Sequence, residues 1–285
     1  MQQSGAELAA NYQRQLDEKI AKTTVEFKDF APPELEVFES PALHFRMRAE
    51  FKMWFDKATE KITYAMHQPG ISNQHFTITD FPIGSSTINR LMPILLRGVN
   101  RHEELKRKLF QAEFLTSTTG QALVSLIYHK PLQSDWQTLA EELSRELGCS
   151  IIGRSRKQKI VIGSDAISET FCVNDEKFSY EQVENSFTQP NAVVCNHMLN
   201  WAVDAVTGLG DDLLELYCGN GNFTLPLSRQ FDNVLATEIS KTSVKSAHTN
   251  IAANHCNNIA IARMSSEEFT QALNGEREFR RLKNI

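Results

Sequence analysis

The sequence predicts two architectures in one chain: an α+β domain with a mainly antiparallel sheet over residues 1–180, then the first part of an α/β, Rossmann-like domain over 181–285. Three observations predict this. Leu43 to Phe55 alternates without a break between apolar and polar side chains. Two stretches of helical apolar spacing interrupt a series of short strand-like runs before Gly148. After Pro190, short apolar runs alternate with helical segments, the rhythm of parallel strands joined by crossovers.

Taken in order, Ala6 to Ala21 places Leu8, Tyr12, Leu16 and Ile20 at four-residue spacing, which predicts an amphipathic helix ending before Pro32 and Pro33. In Leu43 to Phe55 the residues Leu43, Phe45, Met47, Ala49, Phe51, Met53 and Phe55 fall on one side, and His44, Arg46, Arg48, Glu50, Lys52 and Trp54 on the other. A period of two predicts a long strand with a core face and a largely cationic face. Further strands are expected at Ile62–His67, His75–Thr79, Phe110–Thr116, Ala122–His129, Ser150–Gly153 and Lys159–Ile162. One helix starts near Ser86 and turns Ile88, Leu91, Leu95 and Val99 inward, with Pro93 expected to restrict its start or bend it. Another is capped by Ser134 or Asp135, buries Trp136, Leu139, Leu143 and Leu147, and stops at Gly148. In the second half, Pro190 is placed as an early helix residue, with Val194, Met198, Trp201 and Ala205 sharing a face up to Gly208. Strands follow at Asp212–Tyr217, Asn233–Glu238 and Asn258–Met264.

Charged residues are 23% of the chain, hydrophobic residues 41%, and the formal net charge is -5, so the composition is that of an ordinary folded protein and names no partner by itself. Met1 to Lys22 is polar, unlike a signal peptide, and no stretch reaches the ~20 apolar residues of a membrane span. A cytoplasmic protein is expected. The five cysteines, Cys149, Cys172, Cys195, Cys218 and Cys256, are scattered, odd in number and without a CxxC pair, which argues against a disulfide framework and a zinc or iron–sulfur cage.

The strongest motif is LLELYCGNGNF, Leu213 to Phe223: a buried strand running into a glycine turn and then a helix. Gly219 and Gly221 let the backbone turn sharply and approach a ligand. Glu238 closes the next strand, where an acid accepts hydrogen bonds from both hydroxyls of a ribose. The third position of the pattern is Thr224 and not glycine, which weakens a dinucleotide reading. A ligand with adenosine and no phosphate, S-adenosylmethionine, suits the turn better. The bland alternative is a tight strand-to-helix turn beside a surface Glu.

Ser186–Asn191 (SFTQPN), the LLELYCGNGNF run and ATEIS at Ala236–Ser240 together resemble the class I RNA uracil-5-methyltransferases. SPALHFRMRAEFKMW, KLFQ at Lys108–Gln111 and VENSFTQPN resemble their tRNA-specific, TrmA-type branch, and the likeness runs over essentially the whole chain. The resemblance implies methylation of C5 of a T-loop uridine of tRNA (m5U54). It implies S-adenosylmethionine held by Gln189, Tyr217, Asn222 and Glu238 around Gly219 and Gly221. The outer face of the long strand, with Arg46, Arg48 and Lys52 interleaved with His44 and Trp54, combines cations for phosphates with rings for unpaired bases, an RNA face that the resemblance supports. Phe110 and His129 are lesser base-stacking candidates beside the plainer reading of a buried Phe and a capped His. Two more basic runs, Arg154–Lys159 and Arg97–Lys108, are read equally well as solvated surface.

Family chemistry needs a cysteine thiolate to add to uracil C6 and a general base to remove the C5 proton. The SCNP-like and DPPRxG-like strings that carry these steps do not occur, so the resemblance implies no catalytic residue within the chain, with the nucleophile and the base beyond Ile285. The expectation is a methyltransferase chain inactive by itself, with the tRNA T-arm as partner, no membrane, no metal, and a monomeric complete form. A non-catalytic tRNA-binding or folding module and an rRNA uracil-5-methyltransferase are the alternatives.

Overall fold

In the computed structural model, which describes residues 5–67 and 75–276, the alternating stretch does become a strand, but a shorter one than its pattern. His44 adopts a left-handed backbone (φ 57), and Arg46 makes only isolated bridges, to Gly84 and Asn191. The ladder therefore starts at Arg48, because alternation survives a bend that pairing does not. The expected chain end at Arg281–Ile285 and the first residues of the polar N-terminus, 1–4, lie outside the described residues.

The chain divides into two compact units. The first is Met1–Thr116, Ala122–Asp165 and Pro190–Val194; the second is Ser117–Gln121, Ala166–Gln189 and Cys195–Ile285. The sequence boundary at 180 falls inside a strand, and the first long break comes at Asp165.

The first unit holds helix α1 (Gly5–Phe27), strands β1 (Arg48–Asp56), β2 (Lys61–His67) and β3 (His75–Ile78), and helices α2 (Ser86–Arg101) and α3 (Glu103–Lys106). Strands β4 (Leu109–Thr116) and β5 (Ala122–Tyr128), helix α4 (Ser134–Leu147), and strands β6 (Ser150–Ser155) and β7 (Gln158–Ile162) complete it. The strands form one seven-stranded sheet in the order β3-β2-β1-β4-β5-β6-β7. Every pairing is antiparallel except β5 with β6, which α4 joins as a crossover. Phe51, Tyr64 and Phe114 meet at ring edges in the core under α2, and Trp136 of α4 is fully buried. The stripe of α1 buries no residue.

Two helix expectations are corrected. Pro93 lies inside α2, which continues past it, so it does not mark the helix start; it is exposed, while Ile88, Leu91, Met92, Leu95 and Val99 are buried. The start of α2 is fixed by Ser85, whose Oγ accepts from Ile88 N at 3.1 Å. Helix α4 starts at Ser134 itself, after Gln133, with no side-chain cap, while Gly148 ends it in the left-handed conformation (φ 66) as expected.

The second unit begins with a hairpin absent from the sequence reading, β8 (Ala166–Val173) and β9 (Glu176–Val183). Asn174 and Asp175 both take positive φ between them, the two-residue turn that suits strand twist. The buried side of β8 includes Glu169, which breaks its apolar alternation; the carboxylate accepts from Thr118 N at 2.9 Å and Thr170 N at 2.8 Å. Helix α5 (Ala192–Val206) follows, capped by Asn191, whose Oδ1 accepts from Val194 N at 3.1 Å. Pro190 therefore precedes the helix instead of lying in its first turn.

Strand β10 (Asp212–Leu216), helix α6 (Thr224–Leu227), strand β11 (Asn233–Thr237), helix α7 (Lys241–Ala253), strand β12 (Ile259–Ala262) and helix α8 (Ser266–Leu273) complete the second unit. β10-β11-β12 is a parallel sheet, as the alternation of elements predicts. Among the described residues β10 is the end strand of this sheet, and Leu214 and Leu216 are exposed where the sequence predicted a buried strand. Among the described residues no helix is long and apolar enough to cross a membrane.

Candidate functional site

The turn after β10 is built from backbone that ordinary residues avoid. Gly219 and Gly221 have φ of 59° and 85°, and Tyr217, with a full side chain, has φ 62. A Cβ on Gly219 would meet nothing within 4 Å, so open space lies over the turn where a ligand can approach. Glu238, one residue past β11, is fastened here: Oε2 accepts from Gly219 N at 3.0 Å and Oε1 from Ser240 N at 2.7 Å. An ionised carboxylate has about four acceptor positions, so two remain for a diol.

Beside the turn is a cavity of about 140 Å3. Gln189, Tyr217, Gly219 and Asn222 line it, so four of the sequence candidates converge; Gly221 shapes the turn and Glu238 braces it from the next strand. Asn222 Nδ2 lies 3.4 Å from Cys195 Sγ, and its carbonyl accepts from the Tyr180 hydroxyl at 3.1 Å. The Tyr217 hydroxyl accepts from Ser266 Oγ, at the start of α8. The ring itself is largely exposed, free to cover a flat ligand.

Sequence reasoning missed Glu215. It lines the cavity, and its Oε2 has no hydrogen-bond partner. Burial raises its pKa, and the nearby Thr224 hydroxyl lowers it in part without a geometric bond to Oε2. The signal was present: a carboxylate in the middle of the apolar run Leu213–Leu216 has a reason to be there. Among the described residues no Lys, Arg or His lines the cavity, whose polar lining is the Glu215 carboxyl and neutral amides. Among the described residues no group of three or more His, Cys, Asp or Glu is placed to hold a metal ion.

In the first unit, the RNA-face candidates separate into two groups. Arg46 and Arg48 are half-buried, with Arg46 Nε donating to Arg48 O at 2.9 Å. Lys52 instead joins a ring cluster. Its Nζ lies 3.7 Å from the Phe110 centroid, and Phe110 stacks on His129 at 4.2 Å and 22°. Phe110 is only half-buried and His129 is exposed, so the buried Phe and capped His of the plainer reading are not what forms. The other basic runs are partly neutralised: Lys106 pairs with Glu103 at 2.9 Å, Arg101 with Glu146, and Lys159 with Asp165 at 2.6 Å.

A parallel βαβ unit with an open glycine turn and a braced acid makes this an α/β protein whose turn has the form of a nucleoside site. The family model described as tRNA (Uracil-5-)-methyltransferase matches residues 11–285. The tRNA/tmRNA (uracil-C(5))-methyltransferase of Teredinibacter turnerae is 58% identical over 99% of this chain and 78% of its own length. That of Acinetobacter baylyi is 50% identical over 96% of this chain and 76% of its own length. Among solved structures, the Pyrococcus abyssi tRNA (uracil-54, C5)-methyltransferase in complex with S-adenosyl-L-homocysteine aligns with a TM-score of 0.68 at 18% identity. That alignment covers 88% of this chain and 63% of the Pyrococcus chain, and it shows the shared fold. The chain belongs to the tRNA (uracil-5-)-methyltransferase family, a family of transferases.

Proposed function

We propose that this chain binds S-adenosylmethionine at the turn after β10 and recognises the T-arm of tRNA through its seven-stranded sheet, as a TrmA-type enzyme that forms m5U54. The observation that carries the donor assignment is the charge of the cavity lining: one buried carboxylate with an unpartnered oxygen, amides, and no cation. This fits a positively charged adenosine compound and disfavours a pyrophosphate. Glu238 would take the ribose hydroxyls, Tyr217 would cover the flat part of the donor, and Gln189 and Asn222 would hold its polar end. Glu215 would supply the counter-charge. S-adenosylmethionine supplies an electrophilic methyl group on its sulfonium. The ring cluster Lys52–Phe110–His129 supports RNA recognition, since a cation beside stacked rings suits phosphate and unpaired base together.

Transfer to C5 of a uracil requires a thiolate at C6, and none of the five cysteines is set up to be one. Burial, with Glu215 and Glu238 nearby, pushes the Cys218 thiol up to about 12, and burial also raises that of Cys195. Cys149 is pushed up to about 11, and neither Cys172 nor Cys256 lines the cavity. We therefore assign no catalytic residue among them, and expect the 285-residue chain by itself to transfer no methyl group.

Calorimetry with S-adenosylhomocysteine tests the donor site. Binding is expected, and Glu238→Gln is expected to weaken it by roughly ten-fold or more, the scale of a lost hydrogen bond to a charged group. Equal affinity in the variant would sink the assignment. Anisotropy with a labelled T-arm stem-loop tests the RNA assignment, which falls if Arg48→Ala with Lys52→Ala binds as the parent does. Labelled methyl incorporation into that RNA by the chain alone would overturn the reading of the thiols.

A further inference from the structure

The outer face of the seven-stranded sheet carries a second ring stack that the proposed function has not used. Along β1, Phe51 and Met53 point into the core, so Lys52 and Trp54 point out together. Trp54 lies opposite Thr63 of β2, and His67 of β2 lies opposite His75 of β3. Paired residues share a face, which puts His75 on the Trp54 side. The two rings meet at 3.8 Å between centroids, tilted by 41°.

Packing does not explain this pair. Trp54 stays 47% exposed with His75 against it, and among the described residues neither ring has a polar partner. A large ring braced by another and open on the outside is a surface waiting for a flat partner. Its neighbour sets the chemistry. Lys52, two residues away on the same strand face and so roughly 7 Å along it, sits over Phe110 and its His129 stack. Its Nζ uses one hydrogen bond, to Gln111 Oε1 at 3.2 Å, leaving other N–H groups for a phosphate.

We propose that Trp54 and His75 form a second base-stacking platform, which takes an unpaired base of the RNA while Lys52 holds a phosphate between this base and the one at Phe110–His129. The inference rests on the reading that the partner is tRNA. A protein partner would also cover an exposed Trp, but the amine and the imidazoles grouped on one strand face favour a nucleic acid.

The full chain with Trp201→Phe leaves Trp54 and the buried Trp136 as its emitters. A T-arm stem-loop with a fluorescent end is titrated in, reading Trp emission and RNA anisotropy in the same samples. Saturable quenching that follows the anisotropy curve is expected. Trp54→Leu is expected to abolish the quench and weaken binding about five- to hundred-fold, while Trp54→Phe keeps most of the affinity. The quench in the Trp54-containing protein reads the contact without relying on how Trp54→Leu folds. Anisotropy binding with unchanged Trp emission, and full affinity in Trp54→Leu, would overturn the platform, leave the tRNA reading intact and leave this surface to a protein. Equal quenching by a fully paired duplex would overturn base stacking. No anisotropy change at all would overturn the platform and the tRNA reading together.

Discussion

Burial holds the Glu215 carboxyl above its ordinary pKa of 4.5, because the charged form loses part of its hydration and Thr224 offsets only part of the cost. The folded protein then keeps a proton at pH values where the unfolded chain has lost it. For a carboxyl shifted in this direction, its contribution to stability is fully present below the unfolded pKa and is lost as pH rises through the folded pKa. Glu215→Gln has nearly the same shape and carries no charge at any pH. The variant is therefore expected to melt with the parent near pH 4 and above it at pH 8, both without ligand. Thermal scans across that range check this, and a constant gap at every pH would show that Glu215 is not the titrating group. The same carboxylate is expected to cost stability and to help donor binding, so Glu215→Gln should bind the donor less well than the parent. A residue that breaks a local rule at a cavity is where function and stability part.

Elements were legible in the sequence where one physical cause dominated. The parallel strands β10 to β12, the start of α2 near Ser86 and the end of α4 at Gly148 followed from apolar period and turn chemistry. The hairpin β8–β9 was not legible, because Glu169 occupies a core position that only its bonds to Thr118 and Thr170 make tolerable, and those partners are visible only in three dimensions. The excess length of the expected first strand has the opposite cause: alternation continued through His44 and Arg46, while the backbone turned away from the ladder. Four of the candidate donor residues line one cavity, Gly219 proposed from the motif and Gln189, Tyr217 and Asn222 from the resemblance, while Glu215 was not singled out, since the reading followed the glycines and the strand-ending acid. Close packing of elements leaves a further mark at two glycines. A Cβ on Gly153 of β6 would lie 2.3 Å from Cη2 of Trp136 in α4, and one on Gly98 of α2 would lie 2.3 Å from Leu143 Cδ1. The indole is rigid and fully buried, whereas the leucine tip can rotate. Gly153→Ala is expected to destabilise the chain by about 1–3 kcal/mol in denaturant unfolding, and by more than Gly98→Ala. Equal costs at both sites would mean that the helix α4 shifts as a body instead of its side chains yielding.

At the scale of the molecule, the two units are interwoven along the chain. The sequence leaves the first unit at Thr116, returns at Ala122, leaves at Asp165, returns for Pro190–Val194 and leaves again. The short return is bonded to the first unit: Met47 N donates to Pro190 O at 2.7 Å, and Asn191 Nδ2 donates to Ser40 Oγ at 2.6 Å. A cut at the sequence boundary of 180 therefore removes part of each unit. It takes away Pro190 and Asn191, and it leaves Ala166, Ile167 and Ser168 of β8 without Val183, Gln182 and Glu181, their partners in β9. Half a hairpin with unpaired backbone is an open edge, and open edges recruit other chains. The fragment 1–180 is expected to elute partly as aggregate in size exclusion and to melt below the whole chain, whereas 1–194, which keeps both the complete hairpin and the returning segment, is expected to remain less aggregated. If 1–180 were monomeric and melted as the whole chain does, the returning segment would hold nothing together. The RNA face would then belong to a domain independent of everything after Tyr180.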